Sequence, residues 1–276
     1  MWSPSSTLTW LECPLKWSRR RAGEPEAQGR WHPAMLVGTA LHAGWARYLD
    51  PTQPEKSLVR AQAAFSRALV EEWPTVLGYS SDGWLMEAVE AVALKCLERV
   101  AVRFLPDLLA DAGKVVAVEC TLGEGDRNRG EYPGTADLIT EHGPVDARYL
   151  VVTDYKTHWT VGEGAASRYQ TQTERSWQLT QYAYFAQKMY SLPVRYIRSL
   201  HVAVSPAPKA WPYACPVTQE RLDTWRGYAD SIWARMDAQR GNEDVRTTPW
   251  PNWDSCEKYG AAYRCGYYER CHGGTT

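Results

Sequence analysis

From residue 33 to about residue 49 the apolar positions recur at helical spacing. Val37, Leu41, Trp45 and Tyr48 fall on one stripe, and Pro33 suits a first turn. Two further helices are expected at roughly 55–73 and 84–109, segments rich in Ala, Leu, Glu and Arg. Ahead of them, Ser5 or Ser6 could cap a short helix through TLTWLEC, which Pro14 disturbs soon after Cys13. The polar stretch RRRAGEPEAQGRWHP reads as a loop. The period then changes. KVVAVEC (114–120), GTADLIT (134–140) and YLVVTDY (149–155) are β-branched runs that predict strands, the last two separated by the turn-like EHGPVDA. A helix over 176–190, a strand over 194–204 and a helix over 219–240 follow, and the tail after Gly241 is irregular. Helices, three strands, helix, strand, helix: this order predicts one mixed α/β (α+β) domain over 1–276. It comprises an N-terminal segment (1–32), a helical region (33–112), a core (113–240) and a Cys-rich tail (241–276).

Composition narrows the classes. Hydrophobic residues make up 44% and charged residues 23% of the 276, as in ordinary globular proteins. No apolar run approaches membrane-spanning length and the N-terminus has no signal-peptide layout, so a cytoplasmic protein is the expectation. A net charge of −1 means that any nucleic-acid surface must be a local patch. Lys16, Arg19, Arg20 and Arg21 offer one candidate, although taken alone they are better explained as a solvated helix end or loop. The 14 tryptophans serve as core anchors or as stacking platforms, and the count does not divide them. No GxxxxGK[ST] loop is present, which argues against an ATP-driven motor within the chain.

Chemistry concentrates at the end of the third strand. Asp154 and Lys156 are two apart, so they project to one face, and the apolar LVVT before them makes a carboxylate and an amine costly unless paired or used. Asp137, in GTAD on the neighbouring strand, can approach Asp154, and a divalent cation would relieve their repulsion. Hard oxygen ligands suit Mg²⁺ or Mn²⁺. Such a cation lowers the pKa of a bound water and offsets charge built up in phosphodiester hydrolysis, and a nearby lysine can orient that water. Each residue also has a plainer reading. Asp154–Lys156 could be a strand-end salt bridge, His42 a polar helix residue, Gln178 and Tyr182 a helix-surface pair, and Glu119 an exposed strand end.

Taken in order, these residues resemble the RecB/Cas4-like branch of the PD-(D/E)XK nuclease superfamily. The motifs read GTALH (38–42), Glu119, GTAD (134–137), DYK (154–156) and QLTQY (178–182), and the likeness covers nearly the whole chain. The resemblance implies a restriction-endonuclease-like core, a central mixed sheet flanked by helices. It implies that His42, Asp137 and Asp154 hold a metal with the Tyr155 carbonyl, that Lys156 handles the attacking water, and that Glu119 is an accessory acid. Gln178 and Tyr182 would steady a DNA strand. The implied activity is a Mg²⁺- or Mn²⁺-dependent deoxyribonuclease, an exonuclease on DNA ends or single strands, in recombination, repair, phage replication or CRISPR adaptation. A helicase, recombinase or integrase would be a fitting partner. The alternative is a catalytically silent iron–sulfur subunit for DNA-end binding or assembly.

Seven cysteines without an export signal argue against a disulfide framework and for metal ligation or core packing. Cys13, in a CP context, with Cys256, Cys265 and Cys271 matches the one-before, three-after arrangement of cluster-bearing relatives. The spacer EKYGAAYR between Cys256 and Cys265 is longer than is common there. The resemblance implies a [4Fe–4S] cluster, and four thiolates by themselves suit zinc nearly as well. Cys96, Cys120 and Cys215 are expected to be ordinary buried thiols.

Overall fold

A computed structural model describes residues 2–24, 33–53, 55–73, 86–125, 132–159 and 165–240. It divides into two compact units: Arg30–Leu122 with Thr135–Leu222, and Met1–Gly29 with Gly123–Gly134 and Asp223–Thr276.

The larger unit is built on a five-stranded sheet: β1 (Ala112–Thr121), β2 (Thr135–His142), β3 (Tyr149–His158), β4 (Val194–Ala203) and β5 (Lys209–Pro216), in that spatial order. Every neighbouring pair is antiparallel except β3 and β4, which run parallel. A parallel pair needs a crossover. Here it is α7 (Ala165–Glu174) and α8 (Trp177–Tyr190). The expected mixed sheet with flanking helices is therefore what forms.

The two sheet faces bury separate cores, as strand alternation requires. On one, Leu138, Tyr155, Leu200 and Val202 pack against α3 (Pro33–Leu49), α4 (Leu58–Glu72) and α5 (Met86–Arg99), with Leu41, Trp45, Phe65 and Leu97 fully enclosed. On the other, Ile139, Leu150, Val152 and Ile197 pack against Leu179, Ala183 and Ala186 of α8. Ser57 caps α4 and Ser176 caps α8, each accepting a main-chain N–H three residues on.

Several boundaries differ from expectation. The helix expected over 84–109 is α5, a π-helical turn (Val100–Phe104) and α6 (Leu105–Leu109). Pro106 lacks a donor and its ring crowds the preceding turn, which accounts for the widened segment. β3 runs on to His158 instead of ending near Tyr155. α7 carries only a sparse buried stripe, Ala165, Tyr169 and Thr173, so hydrophobic spacing does not announce it. β5 contains Pro212 and Pro216, which disqualify a central strand but are tolerated at the sheet edge it occupies.

In the smaller unit, α1 (Pro4–Glu12) and α2 (Pro14–Arg21) accompany the part of α9 (Gln219–Arg240) that follows Asp223. Ser3 caps α1, not Ser5 or Ser6: its Oγ accepts from the Ser6 N–H at 3.1 Å. The run RRR is helical, not loop, because Cys13 and Pro14 start a new helix where a break was expected. Trp2 and Trp17 meet edge-to-face at 5.1 Å, with the Arg21 guanidinium 4.8 Å and 5.4 Å from their ring centres. Trp233 Nε1–H donates to Thr7 Oγ1 at 3.1 Å. These tryptophans are core anchors.

Candidate active site

All the site residues discussed next lie in the larger unit. Gly38 sets where α3 rests on the sheet: a Cβ there would stand 2.8 Å from Thr157 Oγ1, so glycine permits α3 to lie close against β3. One helical turn later His42 reaches the edge of two strands. Its Nδ1 is 3.4 Å from Asp137 Oδ1 and 3.9 Å from Glu119 Oε1. One ligand atom from each of His42, Glu119 and Asp137 can be chosen so that all lie within 4.8 Å of one another.

Strand register explains why three acids gather. Val118 pairs with Leu138 and Cys120 with Ala136, which sets Glu119 opposite Asp137. On the other side the β2–β3 ladder runs only as far as Leu138 and Thr153. Just beyond that last pair stand Asp137 and Asp154. The Asp137 carboxylate takes over from the ladder there: its Oδ2 accepts the Tyr155 N–H at 2.5 Å. Asp154, whose strand neighbours face α8, also acts electrostatically on His42 of α3.

Asp154 is 3% exposed, and its Oδ2 lies 2.8 Å from Lys156 Nζ in a charge-assisted contact. Lys156 donates in turn to Gln178 Oε1 at 3.3 Å, and Gln178 Nε2 donates to Tyr182 Oη at 2.8 Å. The (i, i+4) pair on α8 is thus joined to the Lys156 side chain.

The electrostatics mark the cluster as strained by its own charge. Burial, then repulsion from Asp137, pushes the Glu119 carboxyl up to about 7, although its side chain is 39% exposed. Burial raises Asp154 to about 6 against the pull of Lys156, with Asp137 adding to the rise. Burial opposes charge on His42, but Asp137, Glu119 and Asp154 outweigh it and its pKa is raised. Lys156 also titrates higher, since Asp154 overcomes its desolvation. An excess of buried negative charge and converging imidazole and carboxylate atoms fit a divalent cation.

Each expected site residue of the sheet and helices has a definite place. His42, Glu119 and Asp137 converge, Asp154 and Lys156 adjoin them, and Gln178 and Tyr182 follow from Lys156. Glu119, expected as an accessory, stands inside the triad. Cys13 is buried, and its Sγ accepts the Lys16 N–H at 3.4 Å as the cap of α2. Cys256, Cys265 and Cys271 lie outside the described residues. Cys96 and Cys215 are buried and Cys120 half-buried.

Sequence reading missed a second group. His158 continues the period-two series Asp154, Lys156 on β3, and β4 sets Ser199 beside Asp154 and His201 beside Lys156. With Thr173, Ser176 and Gln172 these side chains line a pocket of about 100 Å³ that opens from Asp154 and Lys156. Alternation carried two residues further along each strand would have found it. No helix among the described residues is long and apolar enough to cross a membrane.

No curated protein matches the chain. The model of the PD-(D/E)XK nuclease superfamily matches residues 1–272. With that match across almost the whole sequence, and the carboxylate–lysine site at the broken ladder between β2 and β3, the chain belongs to the PD-(D/E)XK nuclease superfamily.

Proposed function

We propose that the protein is a Mg²⁺- or Mn²⁺-dependent deoxyribonuclease that works from DNA ends or on single strands. The observation that carries this is the convergence of His42, Glu119 and Asp137 beside the buried Asp154–Lys156 pair. His42, Asp137 and Asp154 would hold the cation with the Tyr155 carbonyl, and Glu119 would be a further or alternate oxygen ligand. Imidazole among the ligands favours Mn²⁺ over Mg²⁺ relative to an all-oxygen site. When bound, the cation would acidify a water and offset charge on the phosphate.

The chain's own groups do the rest. Lys156 Nζ, tethered to Asp154 Oδ2 and Gln178 Oε1, is in place to orient the attacking water. Gln178 gives the lysine a second partner, and with Tyr182 it would offer amide and hydroxyl groups to the DNA strand. The test is cleavage of end-labelled single- and double-stranded DNA with Mg²⁺ or Mn²⁺. Asp154→Asn and Lys156→Ala should each lose at least about a hundredfold in rate, the scale of one electrostatic or acid–base group. Undiminished cutting by both would refute the site.

We also read Cys13, Cys256, Cys265 and Cys271 as ligands of one [4Fe–4S] cluster, with zinc as the competing occupant. What supports it is the order along the chain: Cys13 stands in a CP context before the core and the other three cysteines follow it. Iron and acid-labile sulfide on anaerobically purified protein bear the reading out. Zinc without iron, or neither metal, defeats it.

A further inference from the structure

The pocket beyond Lys156 holds a hydrogen-bonded wire whose proton positions are fixed by its far end. Thr173 Oγ1–H donates to the Tyr169 carbonyl at 2.8 Å, one helical turn back. That commits the threonine proton, so in its short contact with Ser199 the serine hydroxyl donates and Thr173 accepts. Ser199 Oγ then accepts from His201, whose Nε2 is 3.0 Å away and carries the proton. His201 Nδ1 is bare and accepts from His158 Nε2–H at 2.8 Å. His158 is left with Nδ1 as an acceptor that has no hydrogen bond to another described residue.

The wire is rigid and neutral. Ser199, His201 and Thr173 are at most 3% exposed. The Tyr169 ring stacks on His201 at 4.0 Å and on His158 at 4.7 Å, and the two imidazoles lie within 5° of coplanar. Burial, with His158 and Lys156 beside it, holds His201 down at about 3. Burial, Arg168 and Lys156 lower His158 as well. The cation that lines the pocket, Lys156, is already matched by Asp154. Such a pocket offers little to a phosphate. It suits an uncharged group that donates a hydrogen bond, and its volume of about 100 Å³ admits part of one nucleotide but not two.

We infer that this pocket is a nucleotide subsite next to the scissile phosphate. In it His158 Nδ1 accepts from a neutral donor, a base amino group or a sugar hydroxyl. The inference rests on the nuclease reading, and its test is made by binding, so that it can fail separately.

Full-length protein labelled with ¹⁵N-histidine is titrated with dCMP, without cleavage. The free protein should show His158 as the Nε2–H tautomer, and dCMP should shift its Nδ1 resonance upfield. His158→Phe, which keeps a ring against Tyr169 but removes the acceptor, should bind dCMP roughly three- to tenfold more weakly, the scale of one hydrogen bond. His158→Gln, which restores an acceptor oxygen, should recover part of that loss and guards against a variant that merely misfolds. Weaker binding of dUMP identifies the amino group as donor, and weaker binding of 2′,3′-dideoxycytidine monophosphate identifies the hydroxyl. An unmoved Nδ1 resonance, or equal affinity of wild type and His158→Phe for dCMP, overturns the subsite whatever the cleavage assays show.

Discussion

Glu119 is held at φ 45°, a left-handed conformation that costs an L-residue on the order of 1 kcal/mol, and it sits in a strand where nothing in the hydrophobic pattern demands it. The same residue brings its carboxylate to His42 and Asp137, where its ionisation is resisted. Strain and charge are tolerated together at the point where a cation would relieve the second. Glu119→Gly removes both. It is expected to raise the melting temperature of the metal-free protein while reducing the additional stabilisation given by Mn²⁺. Calorimetry with and without Mn²⁺ checks this, and an unaltered Mn²⁺ increment would remove Glu119 from the ligand set. The acids and Lys156 were legible as residue types in a period-two strand pattern, because Asp and Lys at the end of LVVT are expensive. Tautomers and the positive φ were not, since both depend on partners distant in sequence.

At the scale of elements, α3 is positioned by a missing side chain. With Gly38→Ala the new methyl would press on Thr157 Oγ1 of β3 from 2.8 Å, and a β-branched neighbour has few rotamers with which to retreat. A cost of about 1–3 kcal/mol is expected, with a loss of activity beyond that of stability as His42 moves. Thr157→Ala in the same chain should recover most of both. A double-mutant cycle by urea unfolding and DNA cleavage reads the coupling, and strictly additive effects would contradict the contact. The stripe Val37, Leu41, Trp45 made α3 readable, and β1 to β4 were readable from branched residues. β5 was hidden by Pro212 and Pro216, and α7 by its polar surface. Both flank β4, whose inner face was read as strand but whose neighbours local sequence does not name.

For the whole molecule, the site makes stability depend on pH in a particular sense. Glu119 at about 7 and Asp154 at about 6 both lie above ordinary carboxyl values, so the folded protein binds more protons than the unfolded chain between roughly pH 4 and 7. That contribution is fully present at low pH and is lost as pH rises through 6 and then 7. His42, also raised, acts in the same direction. A divalent cation reverses the trend, since it binds the ionised forms. Melting curves should therefore show a Mn²⁺ stabilisation that is small near pH 5.5 and large near pH 8. An increment independent of pH would mean that the cation binds elsewhere.

A helix and three strands, contributing His42, Glu119, Asp137 and Asp154, are proposed to serve one cation beside Lys156. Anomalous diffraction at the manganese edge, from crystals grown with Mn²⁺, locates that cation. A peak is expected about 2.0–2.5 Å from His42 nitrogen and from oxygens of Asp137 and Asp154, with Lys156 Nζ nearby and uncoordinated. A well-occupied peak away from these residues, with none among them, would contradict it.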